Sequence, residues 1–101
     1  MAYDLETVKK DVAEGRALLV DVRELQEWDQ GHVRGALLAP LSGLESGVVP
    51  LTLIKEKPLF TYCRAGRRSV MGAEILKPLG YNVTAIFEGF DELAARGFPT
   101  A

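Results

Sequence analysis

Residues 59–69 read Leu59-Phe60-Thr61-Tyr62-Cys63-Arg64-Ala65-Gly66-Arg67-Arg68-Ser69: a short apolar run, a thiol, a loop with three arginines and no acid, and a residue suited to open a helix. Pro58 precedes the run, and after Ser69 the positions Met71, Gly72, Ile75, Leu76 and Leu79 form a helical stripe that Pro78 and Gly80 end. Strand, loop and helix are therefore expected in that order, with Cys63 at the carboxyl end of the strand. A helix starting near Ser69 turns unpaired N–H groups and the positive end of its dipole toward the loop, which makes the loop a site for anions. Such a field also favours the thiolate, the reactive form of cysteine. Gly66 permits a backbone turn that a Cβ would hinder.

Outward from this segment the alternation continues. Asp4 caps a first helix with Leu5, Val8 and Val12 on one face, and Gly15 stops it. Ala17-Leu18-Leu19-Val20-Asp21-Val22 is nearly all apolar, as a strand covered on both faces should be. The charged stretch Glu24 to Asp29, with Leu25 and Trp28 on one side, reads as a short helix closed by Gly31. Ala36 to Ala39, before Pro40, reads as a second strand, and Leu41 to Ile54, broken by Gly43, Gly47 and Pro50, as short helical turns. Val83 to Phe87 is a further strand, and Phe90, Leu93 and Ala94 share a helical face before Gly97 and Pro99. This order predicts a three-layer α/β domain: a mainly parallel sheet of about four or five strands with helices on both faces. Sites in such folds lie beyond the carboxyl ends of the strands.

The 101 residues suit one domain spanning 1–101. Cys63 is the only cysteine, so no disulfide closes within the chain and no Cys-x-x-Cys motif exists. Twelve basic and 14 acidic residues give a net charge of −2, which argues against nucleic acid or an anionic membrane as partner. No stretch approaches the ~18 consecutive apolar residues of a membrane span, and MAYDLETVKK lacks the apolar run of a secretory signal. A cytoplasmic protein, monomeric or homodimeric, is expected. The Gly31/Gly35 and Gly43/Gly47 spacings lie outside any apolar stretch, so they are not helix-dimer motifs. Gly-x-Gly-x-x-Gly and P-loop patterns are absent, so no nucleotide cofactor is expected. His32, the only histidine, reads as a structural loop residue rather than a metal ligand or general base, and Trp28 as a packing residue.

The loop Cys63-Arg64-Ala65-Gly66-Arg67-Arg68 resembles the six-residue active-site loop of the rhodanese (thiosulfate sulfurtransferase) family. Two further segments carry the likeness. Leu19-Val20-Asp21-Val22-Arg23-Glu24, followed by Glu27-Trp28 and Gly31-His32-Val33-Arg34-Gly35-Ala36, is similar to the family's first signature. Phe87-Glu88-Gly89-Phe90 and Gly97-Phe98-Pro99 stand where its closing segment falls. The resemblance implies a sulfurtransferase in which Cys63 takes the outer sulfur of a small sulfur-containing anion, becomes a persulfide, and yields the sulfur to cyanide, a thiol or an acceptor protein. Arg64 and Arg67 are the expected binders of a dianionic donor, because guanidinium pairs well with sulfonate-like oxygens. Arg68 either does the same or bridges to Asp21. Ala65, Gly66 and Ser69 complete the loop around the substrate, and Asp21 and Arg23 support it from behind. Arg64 favours thiosulfate over mercaptopyruvate, since it extends the positive field around the second charge.

One departure concerns the closing segment. Where the family usually has a Gly-Gly pair and then a Trp, this chain has Gly89-Phe90 and then Leu93. Phe90 either narrows the pocket entrance or packs in the core, and the stripe it shares with Leu93 and Ala94 favours the core. Three other functions compete: a persulfide relay to a partner protein, a docking module, and a phosphatase or arsenate reductase. The last needs a cysteine, five intervening residues and an arginine, and here Ser69 stands at the arginine's place.

Overall fold

The computed structural model describes residues 3–101. Helix α1 (Leu5–Ala13) is capped by Asp4, whose carboxylate accepts the Thr7 N–H at 3.2 Å. It leads to β1 (Leu18–Asp21), α2 (Leu25–Asp29), β2 (Leu37–Leu38) and α3 (Leu41–Glu45). After a run of turns come β3 (Leu59–Tyr62), α4 (Arg67–Leu76) with a 3-10 turn at Lys77–Leu79, β4 (Val83–Ala85) and α5 (Phe90–Ala95). The four strands are all parallel and stand in the order β2-β1-β3-β4. Successive side chains of a strand point to opposite faces, and β1 shows the result: Val20 packs with Leu44, Ala73 and Leu76 under α3 and α4, while Leu19 packs with Leu5, Val8 and Leu93 under α1 and α5. Helices thus cover both faces, as the all-apolar run of β1 required. Among the described residues no helix is long and apolar enough to cross a membrane.

Several expectations are corrected, the first being the strand read as Ala36 to Ala39, which is paired only over Leu37–Leu38. The strand read as Ala17 to Val22 is paired only over Leu18–Asp21, and the one read as Val83 to Phe87 only over Val83–Ala85. Hydrogen bonding runs one residue further, from Val22 N–H to the Tyr62 carbonyl at 3.0 Å and from Ile86 N–H to the Thr61 carbonyl at 2.8 Å, and Phe87 beyond is 64% exposed. Helix α4 begins at Arg67, not Ser69, because Gly66 adopts a left-handed conformation (φ +86°) that lets the chain enter the helix at once. That phase buries Ser69, Gly72, Ala73 and Leu76 and exposes Met71 and Leu79, both expected on the apolar stripe. Gly72 faces β1 closely: a Cβ there would meet Val22 Cγ1 at 3.0 Å.

Candidate active site

The carboxyl edge of the parallel sheet carries the sequence-predicted residues. Cys63 follows β3 directly and is 1% exposed. Its Sγ accepts hydrogen bonds from the N–H groups of Gly66 at 3.0 Å and Ser69 at 3.3 Å. The sulfur therefore sits at the N-terminus of α4, inside the turn made by Arg64, Ala65 and Gly66. The N–H groups of Arg64, Ala65, Arg67 and Arg68 have no acceptor among the described residues. This leaves a ring of donors around the thiol, the arrangement that binds anions.

Two glycines make the turn possible. A Cβ on Gly66 would lie 2.8 Å from the Phe87 carbonyl, and one on Gly89 would lie 1.8 Å from the Arg64 carbonyl. The segment 87–90 is pressed against the loop and stitched to it, since Phe90 N–H donates to the Cys63 carbonyl at 3.0 Å. Ser69 anchors the other side: its Oγ lies 2.7 Å from the Gly66 carbonyl and 2.9 Å from the Ile86 carbonyl, so its single proton lies between two acceptors. Thr61 Oγ1 donates to the Ser69 carbonyl at 2.8 Å. Ser69 is fully buried and faces the fold rather than solvent.

The arginines divide by partner. Arg64 and Arg67 are exposed and pair with no carboxylate among the described residues. Arg68 does not bridge to Asp21. It makes a two-pronged pair with Glu27 of α2, Nη1 to Oε1 at 2.7 Å and Nη2 to Oε2 at 2.8 Å. Asp21 is engaged elsewhere: its carboxylate accepts Arg23 Nε and Nη2 and, at 2.7 Å, the Tyr62 hydroxyl. Arg23 Nη2 also donates to the Gly31 carbonyl at 2.7 Å, and the Tyr62 oxygen accepts the Val33 N–H at 3.1 Å. Burial first, and then the Asp21 charge, push the Tyr62 hydroxyl well above the usual phenol range. Tyr62 and Glu27 are the site residues that sequence reading missed. A tyrosine ending a buried strand was the available signal, because a buried hydroxyl needs a partner.

Glu27 has a double role, accepting the Glu24 N–H at 3.0 Å as well as Arg68. The Arg68 hydrogen bonds lower its carboxyl from 4.5 to about 2. Because the folded value is the lower one, the stabilisation is complete above 4.5 and is lost as the pH falls toward 2. The pair is partly solvated, so it contributes about 1 kcal/mol. Urea unfolding of wild type and Glu27→Gln should therefore differ by about that amount near neutral pH, and the gap should narrow at about pH 3. A gap that is constant with pH would show that the pair does not act through charge.

Beside the loop opens a polar pocket of about 260 Å³, lined by Arg23, Glu27, Gly31, Arg64, Phe90 and Asp91 among others. Phe90 is thus half-buried, packing against the core cluster of Leu19, Tyr62 and Leu93 and also lining the pocket, while Ala94 of the same stripe is exposed. Arg23 holds the ring: its guanidinium carbon lies 4.6 Å from the Phe90 centroid, a cation–π distance. His32 stacks on Trp28 at 3.5 Å between centroids, and its Nδ1 lies 3.0 Å from the Trp28 carbonyl oxygen. Both residues have the structural roles expected of them.

The model of the rhodanese-like domain family matches residues 4–96. The thiosulfate sulfurtransferase PspE of Escherichia coli K12 is 32% identical over 75 residues, which cover 74% of this chain and 72% of that protein. The putative sulfur carrier protein YrkF of Bacillus subtilis 168 is 32% identical over 78 residues, 76% of this chain but only 41% of that protein. Among solved structures, the human single-domain sulfurtransferase TSTD1 superposes with a TM-score of 0.74 at 29% identity, over 91% of this chain and 93% of that one.

Proposed function

Since the chain belongs to the rhodanese-like domain family, we propose that it is a sulfurtransferase that carries sulfane sulfur on Cys63 from thiosulfate, or a related anion, to cyanide or a thiol. The observation that carries this reading is the Cys63 sulfur held by two N–H groups inside a turn whose remaining N–H groups and two arginines, Arg64 and Arg67, have no partner among the described residues. The names of the relatives support sulfur transfer as the general chemistry.

In the first half-reaction the Cys63 thiolate attacks the outer sulfur of thiosulfate. The Sγ–S bond forms as the bond to the sulfonate sulfur breaks, and sulfite leaves with the bonding pair. Arg64 and Arg67 hold the sulfonate oxygens, and the N–H groups of the loop and of the first turn of α4 take up the persulfide's negative charge. Ala65 and Gly66 contribute backbone only, which is why small residues suit them. Ser69, Asp21 and Arg23 keep the loop in shape. In the second half-reaction cyanide or a thiolate attacks the outer sulfur, the Sγ–S bond breaks, and its electron pair returns to Cys63.

Helix α4 starts at Arg67, so only Arg64, Ala65 and Gly66 separate strand residue and nucleophile from the helix. A turn this tight suits a single sulfur atom better than a tetrahedral phosphoryl group. The lone cysteine favours one further detail: no second thiol of this chain can discharge the persulfide, so the sulfur waits for an outside acceptor, small molecule or protein.

Intact-mass measurement after incubation with thiosulfate should show a gain of one sulfur atom that cyanide removes. A protein that gains no sulfur from thiosulfate, mercaptopyruvate or polysulfide overturns the reading. Loading from mercaptopyruvate faster than from thiosulfate would overturn the choice of donor.

A further inference from the structure

The pocket beside the loop contains charges of both signs, and most of them are already committed. Arg23 is held by Asp21 and the Gly31 carbonyl, and Glu27 by Arg68. Arg64 and Asp91 remain, one positive and one negative, with no ion-pair or hydrogen-bond partner among the described residues. Two of the pocket's walls are tied to the nucleophile's backbone: Arg64 follows Cys63 in the chain, and the Phe90 N–H donates to the Cys63 carbonyl at 3.0 Å. The Phe90 ring is fixed between Arg23 and Gly31, where a Cβ would stand 3.5 Å from its Cζ. Asp91 follows Phe90 in the chain and lines the same pocket. A volume of about 260 Å³ lies below the ~300–1,000 Å³ of sites for drug-sized ligands, and so suits a small metabolite.

We propose that this pocket is the acceptor site and that it selects a zwitterionic thiol, whose carboxylate meets Arg64 and whose ammonium meets Asp91. The inference rests on the sulfurtransferase reading. It uses the site twice in turn: Arg64 first holds the anionic donor, sulfite departs, and the same guanidinium is then available to a carboxylate. The acceptor thiolate attacks the outer sulfur of the Cys63 persulfide. A new S–S bond forms on the acceptor, the Sγ–S bond breaks, and its electron pair stays on Cys63. A purely anionic thiol gains from Arg64 but is repelled by Asp91, whereas a purely cationic one meets the reverse.

The test loads the protein with thiosulfate and follows discharge by intact mass with four thiols: cysteine, cysteamine, 3-mercaptopropionate and 2-mercaptoethanol. Comparing variant with wild type for each thiol cancels their intrinsic reactivities. Asp91→Asn should slow cysteine and cysteamine about fivefold relative to 3-mercaptopropionate, the effect of losing one solvent-facing ion pair. Asp91→Lys should go further and make 3-mercaptopropionate gain on cysteine. Asp91 is exposed in the first turn of α5, so neither change opens the core. Equal effects on all four thiols, or none, overturn the zwitterion site while the sulfurtransferase reading stands. A wild-type protein that takes no sulfur from any donor overturns both.

Discussion

Cys63→Ser should abolish sulfur loading and lower turnover by at least ~10³-fold while leaving the protein folded. The two consequences separate because the sulfur has two jobs. As an acceptor it satisfies the N–H groups of Gly66 and Ser69, and a serine oxygen can do the same. As a nucleophile it must form and release a sulfur–sulfur bond, which an oxygen cannot replace. Cys63→Ala loses both jobs: it leaves two buried donors without an acceptor, at a cost of about 1–3 kcal/mol that serine avoids in part. Both variants should fail to gain mass from thiosulfate, but the alanine variant should unfold at lower denaturant concentration than the serine variant. Residual turnover of the serine variant above a few per cent would mean that the sulfur is transferred without residing on Cys63.

Much of this layout is legible in sequence because it is written in period and punctuation. The nearly all-apolar run Ala17 to Val22 reads as a strand buried on both faces, and Pro58 and the loop arginines bound β3. What failed was phase and partnership. Arg67 and Arg68 carry no apolar signal, so the first turn of α4 leaves no mark in the sequence, and the apolar stripe takes in Met71 and Leu79, which are exposed, while passing over Ala73, which is buried. The missing side chain of Gly72, where a Cβ would meet Val22 Cγ1 at 3.0 Å, leaves no hydrophobic mark in a sequence. Of the two roles open to Arg68, donor binding and a bridge to Asp21, the bridge fails because Asp21 is already saturated by Arg23 and Tyr62, a saturation visible only in three dimensions. Phe90 does both of the things open to it, packing on the core and walling the pocket. Its apolar stripe was real, but the hydrogen bond from its N–H to Cys63 and the close fit of Gly89 on Arg64 place it at the site.

The same saturation makes Asp21 the most consequential position outside the loop. Its carboxylate is fully buried beside an Arg23 that is 5% exposed, and it accepts Arg23 N–H and guanidinium donors together with the Tyr62 hydroxyl. Asp21→Ala would leave a buried guanidinium without its counter-charge, a change that typically costs about 3–5 kcal/mol. For a domain of this length that corresponds to a fall in Tm of roughly 15–30 °C. The effect should be strongly non-additive. Once Arg23 is also removed, no uncompensated charge remains, so Asp21→Ala/Arg23→Ala should be less destabilised than the sum of the two single variants by about 1 kcal/mol or more. The double variant nevertheless loses the cation that holds Phe90 and the donor that holds the Gly31 carbonyl, so acceptor discharge should stay slow even where stability is partly restored. Additive losses in a denaturant series would instead show that Arg23 is held as firmly by Gly31 and the aromatic rings as by Asp21, and that the buried charge is not the organising element of the site.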